Sequence, residues 1–152
     1  MRIGLISDTH GLLRPQALDY LAGSDHIVHG GDIGNQDILD RLAAIAPLTV
    51  VRGNNDGAAW ADAIPATAQL ALGGIGIYVI HDLKGLAIDP AAAGVRVVVS
   101  GHSHKPSCAE RGGVLYVNPG SAGRRRFSLP IAAGELLVED GRVMVRLVTL
   151  MA

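Results

Sequence analysis

Five short apolar runs in this chain end alike. RIGLIS (2–7) runs into DTH, HIVH (26–29) into GGD, LTVV (48–51) into RGNND, IGIYVI (75–80) into HD, and VRVVVS (95–100) into GHSH. Runs this short, bounded by Gly and polar residues, read as strands rather than helices. In open α/β sheets, ligands gather beyond the carboxyl ends of the strands. The five loops are therefore expected to meet, bringing together Asp8, His10, Asp32, Asn54, Asn55, Asp56, His81, His102 and His104.

What lies between the runs sets the fold class. PQALDYLAG (15–23) predicts a helix with Pro15 in its first turn, Leu18, Leu21 and Ala22 on one face, and Gly23 at its end. NQDILDRLAAIAP (35–47) predicts a second, capped by Asn35 and stopped by Pro47. Beyond Trp60 the texture turns to strands. A hairpin is expected through Gly73-Gly74, a short helix over DPAAAG with Asp89 as cap, two strands within 106–120, and a final pair turning at Asp140-Gly141. A βαβαβ opening followed by a strand-rich half suggests two sheets packed face to face with helices outside.

Composition narrows the class further. The 152 residues are 49% hydrophobic and 18% charged with a formal net charge of -1, which suits a single packed domain over 1–152 and not a polyanion-binding surface. One cysteine cannot form an internal disulfide, and Cys108 is expected to pack as a small apolar side chain. The opening residues do not read as a signal peptide, and no apolar stretch reaches the ~18 residues of a bilayer span. The expectation is a cytoplasmic protein with no membrane contact, no clear nucleic-acid-binding surface, and homo-oligomerisation left open.

Mixed carboxylate, amide and imidazole donors suit divalent first-row ions such as Mn, Fe, Ni or Zn. Seven of the residues named above, Asp8, His10, Asp32, Asn54, His81, His102 and His104, exceed the needs of one ion and suit two, if one carboxylate is shared. Two ions about 3.5–4 Å apart can hold a phosphoryl group and activate a water. Gly30, Gly31, Gly53 and Gly101, each just before a candidate donor, allow the backbone close approach.

The ordered series DTH, GGD, GNND, H and GHSH, with NPGS at 118–121, resembles the calcineurin-like metallophosphoesterases, in particular the small phosphodiesterase group related in fold to the retromer vacuolar-sorting subunit. The resemblance covers residue 1 to about 122. It implies a four-layer αββα sandwich of two mixed β-sheets flanked by helices. It also implies two divalent ions per chain, Mn2+ foremost with Ni2+, Fe2+ or Zn2+ as alternatives. Asp8, His10, Asp32 and His104 would take one ion, and Asp32 would bridge to a second held by Asn54, His81 and His102. The implied chemistry is in-line attack of a metal-bridging hydroxide on a small phosphoester substrate, centred on Asp32, Asn54 and His102. A scaffold of the same fold that binds proteins without catalysis is the principal alternative, and a phosphomonoesterase a further one.

Two positions depart from the family pattern. Where the best catalysts of the family carry a histidine as leaving-group acid, this chain has Asn55, which cannot donate a proton in that role and is expected to touch substrate with Asn54. Asp82 follows His81 where the family often has glycine, and the stretch to Val97 is short for a lid. His26 and His29 fall outside the pattern and read as packing or hydrogen-bonding residues. Of the RRR run at 124–126, Arg124 is the candidate for a substrate phosphate.

Overall fold

The computed structural model describes residues 1–152 as two five-stranded mixed sheets with two α-helices. The first sheet contains β1 (Arg2–Ile6), β2 (His26–His29), β3 (Leu48–Val50), β9 (Ile131–Glu139) and β10 (Arg142–Met151), in the order β10-β9-β1-β2-β3. The second contains β4 (Thr67–Leu72), β5 (Ile75–Ile80), β6 (Val97–Val99), β7 (Ser107–Arg111) and β8 (Val114–Asn118), in the order β4-β5-β6-β8-β7. In the first sheet β1, β2 and β3 run parallel, and in the second β5, β6 and β8 do. The antiparallel hairpins β9–β10, β4–β5 and β7–β8 flank them.

Strand periodicity decides which residues join the sheets. Ile3, Leu5, Val28, Ile77, Val79, Val97, Val99, Val117 and Leu136 point between the two layers and form one buried cluster. Alternate positions face outward. On the first sheet the outward Ile6 and Ile27 pack under α1 (Pro15–Leu21) and α2 (Gln36–Ala43), with Leu21, Ile38 and Leu42 from those helices. Gly4 makes this possible, because a Cβ there would stand 2.5 Å from Leu21 Cδ2. On the second sheet the outward Tyr78, Ile80 and Val98 are covered by Leu83, Leu86 and Ile88 from the segment after β5. That outer layer holds no α-helix, only a 3-10 turn at Leu83–Gly85.

The expected helices form with shorter ends. Asn35 caps α2 by accepting from the Ile38 amide at 3.1 Å. Two expectations need correction. DPAAAG forms turns and no helix: a single helical bond forms, from the Ala93 amide to the Asp89 carbonyl at 3.0 Å, and the Val95 amide then returns to the Pro90 carbonyl at 2.8 Å, ending the segment. Cys108 is exposed rather than packed, because β7 is an edge strand with nothing laid over it. The stretch after His81, expected to be short for a lid, covers the second sheet through Leu83, Leu86 and Ile88, in keeping with that expectation. No helix is long and apolar enough to cross a membrane.

Candidate metal centre

Every sequence-singled donor lies just beyond the carboxyl end of a parallel strand: Asp8 and His10 after β1, Asp32 after β2, Asn54 after β3, His81 after β5, His102 and His104 after β6. The two sheets thus aim five loops at one point. Five of the seven donors hold left-handed backbone conformations, with φ of 53° at Asp8, 46° at His10, 55° at Asp32, 72° at His102 and 63° at His104. Only two other non-glycine residues do so, Phe127 and Asp140. Such conformations cost of order 1 kcal/mol or more each and persist where surrounding structure enforces them, most often at functional sites.

The enforcing contacts are specific. A Cβ on Gly31 would stand 2.7 Å from His81 Nδ1, one on Gly101 would stand 2.6 Å from Asp8 Oδ2, and one on Gly53 would collide with the Asp32 carboxylate. Asp56, which the sequence offered only as one more loop carboxylate, is a staple. Its oxygens accept from the amides of Ile33 (2.9 Å), Gly34 (3.2 Å) and Gly53 (2.9 Å), tying the Asp32 loop to the Asn54 loop. Asn118 of the NPGS motif donates to the Gly101 carbonyl at 2.9 Å, and Ser121 donates to the Asp8 carbonyl at 3.0 Å. A buried Asp or Asn looks the same in sequence as a solvated one, so these braces left no signal beyond their place in the motifs.

The donors face one another with lone pairs. His81 donates from Nδ1 to the Gly30 carbonyl at 2.7 Å, which leaves Nε2 of the neutral ring unprotonated. That Nε2 lies 2.9 Å from Asn54 Oδ1, 3.3 Å from Asp32 Oδ2 and 4.0 Å from Asp8 Oδ1. His102 Nδ1 lies 3.2 Å from the same Asn54 oxygen. Across the site, His10 Nε2 and His104 Nε2 are 3.2 Å apart, and Asp8 Oδ1 is 3.8 Å from the first and 3.3 Å from the second. Asp8 is fully buried, and its Oδ1 has no hydrogen-bond partner. Its other oxygen accepts from Ser7 Oγ at 2.7 Å and from the His102 amide at 3.1 Å.

A divalent ion with bonds of about 2.1 Å holds adjacent ligand atoms about 3 Å apart, so this spacing and this donor set fit the ions the sequence suggested. Two donor groups recur: Asp8, His10 and His104 in one, Asp8, Asp32 and His81 in the other. Asp8 belongs to both, and Asp32 Oδ2 also reaches to 3.6 Å from His10 Nε2.

Electrostatics run in the same direction. Burial alone would raise the pKa of Asp32, but the His81 hydrogen bond, the Asn55 amide and the neighbouring imidazoles outweigh it and hold it at about 2. Burial works against a charged His81, yet its bonds to Asp32 and the Gly30 carbonyl, with the charges of Asp8 and Asp32, raise its pKa. Asn55 clamps Asp32 on both oxygens, from its backbone N–H at 2.8 Å and from Nδ2 at 3.2 Å. Arg124 is exposed, in the segment that follows Ser121. His26 and His29 lie outside the cluster and make hydrogen bonds, as expected: His26 to Thr49 Oγ1 at 2.8 Å, His29 to Thr9 Oγ1 at 3.0 Å and from the Gly31 amide at 3.0 Å.

Residues 1–141 match the family model of the calcineurin-like phosphoesterase superfamily domain. A probable metallophosphoesterase of Methanocaldococcus jannaschii is 36% identical over 153 residues, spanning 92% of this chain and 77% of that protein. An archaeal phosphodiesterase of known structure superposes with a TM-score of 0.79 at 22% identity, over 97% of this chain and 100% of the other. Vps29 of Entamoeba histolytica, complexed with Zn2+, superposes with a TM-score of 0.75 at 24% identity, over 99% of both chains. At these identities the two structures share the fold.

His29 gives a pH test of the scaffold beneath the site. Burial lowers its pKa from 6.5 to about 4. The unfolded chain takes up this proton near pH 6.5 and the folded chain only near pH 4, so the neutral ring's contribution is full above pH 6.5 and lost as pH falls to 4. Urea unfolding of metal-free protein should show the stability of wild type relative to His29→Gln dropping by about 3 kcal/mol from pH 7 to pH 4. Parallel pH profiles would contradict it.

Proposed function

Because the chain belongs to the calcineurin-like phosphoesterase superfamily, we propose that it is a hydrolase that cleaves a phosphodiester with two divalent metal ions. Asp8, His10, Asp32 and His104 would hold one ion; Asn54, His81 and His102 would hold the other, with Asp32 shared. Mn2+ is the expected ion, with Ni2+, Fe2+ and Zn2+ as alternatives of the same coordination chemistry. The observation that carries this reading is the buried Asp8 Oδ1, without a hydrogen-bond partner and facing imidazole nitrogens. When bound, such an ion pair supplies a water of lowered pKa for in-line attack and offsets charge on the phosphoryl oxygens.

The chain's own residues prepare that chemistry. Ser7 and the His102 amide fix Asp8 through one oxygen and leave the other pointing into the site. The Gly30 carbonyl holds the His81 tautomer that presents Nε2. Asn55 fixes the Asp32 carboxylate and, having no titratable proton, leaves the departing oxygen unprotonated from this position. Arg124, exposed just after the Ser121 hydroxyl that braces the Asp8 carbonyl, is the residue we assign to a substrate phosphate. A small diester with an acidic leaving group fits these features best.

Mn2+-loaded protein should hydrolyse bis(4-nitrophenyl) phosphate, lose that activity on chelation, and lose at least about 10³-fold in kcat on Asp32→Asn. Folded, metal-loaded protein without turnover would overturn the hydrolytic reading and favour the binding scaffold.

Asn55→His should raise the kcat/KM for alkyl phosphodiesters relative to matched aryl ones by at least about 10-fold at saturating metal, since general acid help is worth about 10²–10⁴. Asp56 is engaged by backbone amides and cannot orient the new ring, so another neighbour must do so and the expected gain sits below the full general-acid range. An unchanged ratio would show that residue 55 does not govern leaving-group protonation.

A further inference from the structure

His102 has two sides. Its Nδ1 faces Asn54 in the metal centre, and its Nε2 faces Asp82 Oδ2 at 3.7 Å. Asp82 and His102 both line a cavity of about 350 Å³ that opens next to the centre, between the segment after β5 and the β7–β8 hairpin. Apart from His102, Gly101 and Asn118, which it shares with the metal centre, this cavity is built of residues that the hydrolytic site does not use.

Its charge is positive and uncommitted. Lys84 enters from the 3-10 turn and Arg111 from β7. The arginines that pair with carboxylates are Arg2 and Arg146, both on Glu135; Lys84 and Arg111 pair with none. The Arg111 guanidinium carbon lies 4.4 Å from the centre of the Tyr116 ring, so one face is stacked and the N–H edge is left for a ligand. Asp82 is the only acid in the lining, and it is occupied: Oδ1 accepts from the Lys84 amide at 3.1 Å while Oδ2 faces His102. Ser103 Oγ already accepts from Asn118 Nδ2 at 3.1 Å and from the Lys105 amide at 3.2 Å, so its remaining polar group is a proton to donate. A free ammonium, a guanidinium edge and an O–H donor together suit a compact dianion rich in acceptor oxygens.

We propose that this cavity receives a second, terminal phosphoryl group on one arm of the substrate whose diester phosphorus sits at the metal centre. The proposal rests on the hydrolytic reading for that second clause alone; the cavity's preference for a phosphoryl group stands on Lys84, Arg111 and Ser103. The phosphodiester class thereby narrows to diesters that also carry a phosphomonoester. The Lys84 and Arg111 cations would discriminate against the same diester without it.

The test uses the Mn2+-loaded protein and two measurements. Alkanediol bisphosphates of two to six carbons are compared with the matching alkyl monophosphates by calorimetry. At one chain length the bisphosphate should bind at least 10-fold more tightly, and Lys84→Gln/Arg111→Gln should abolish that gain with the circular dichroism spectrum unchanged. 4-Nitrophenyl alkyl phosphodiesters of that length, with and without the terminal phosphate, should then differ at least 10-fold in kcat/KM. Binding gain without turnover of either ester would sustain the phosphoryl site and sink the hydrolytic reading. Turnover of both esters at equal kcat/KM, with no binding gain at any length, would overturn the second phosphoryl site and leave hydrolysis intact. A gain that survives the double substitution would likewise overturn it.

Discussion

A carboxylate oxygen buried without a hydrogen bond is among the least stable groups a fold can contain, and Asp8 Oδ1 is such an atom. Around it stand three imidazole nitrogens within 4.0 Å, and the Asp32 carboxylate shares two of those rings. Protons alone satisfy this set poorly, because each proton placed on one nitrogen leaves the others facing acceptors. Divalent cations satisfy all of it at once. The need to neutralise this cluster governs how the five loops are shaped.

Those loops hold the donors in place by means that are themselves costly. Left-handed backbone at five donors is offset by Asp56, which gathers amides from two loops, and by Asn118 and Ser121, which pin the GHSH and DTH loops. The glycines beside the donors let backbone and side chains approach where a Cβ would collide. Rigid two-sheet packing through Ile3, Val28, Val79 and Val99 sets the distance between the loop groups. Site precision therefore comes from strand ends, and the chemistry from what the loops present there.

Much of this was legible before the fold was known. Asp8, His10, Asp32, Asn54, His81, His102 and His104 follow apolar runs whose direction the sequence reveals, and the structure brings all seven together. The Asn35 cap and the Gly73-Gly74 and Asp140-Gly141 turns were readable from local chemistry. The roles of Asp56 and Asn55 were not, because they depend on amides and carboxylates 22 to 23 residues away. DPAAAG carries helix signals at both ends but is too short to propagate, and the turn wins. Cys108 reads as apolar by type, yet an edge strand with no layer above it leaves it in solvent. The cavity beside His102 joins Lys84, Ser103 and Arg111 from three separate segments, a convergence no local pattern encodes.

The proposed centre holds two ions that share Asp32. Anomalous diffraction at the manganese edge from crystals of Mn2+-loaded protein measures it directly. Two peaks about 3.5–4 Å apart are expected, one among Asp8, His10 and His104 and one among Asn54, His81 and His102, with Asp32 between them. A single peak under saturating metal, or peaks only elsewhere on the surface, would contradict it.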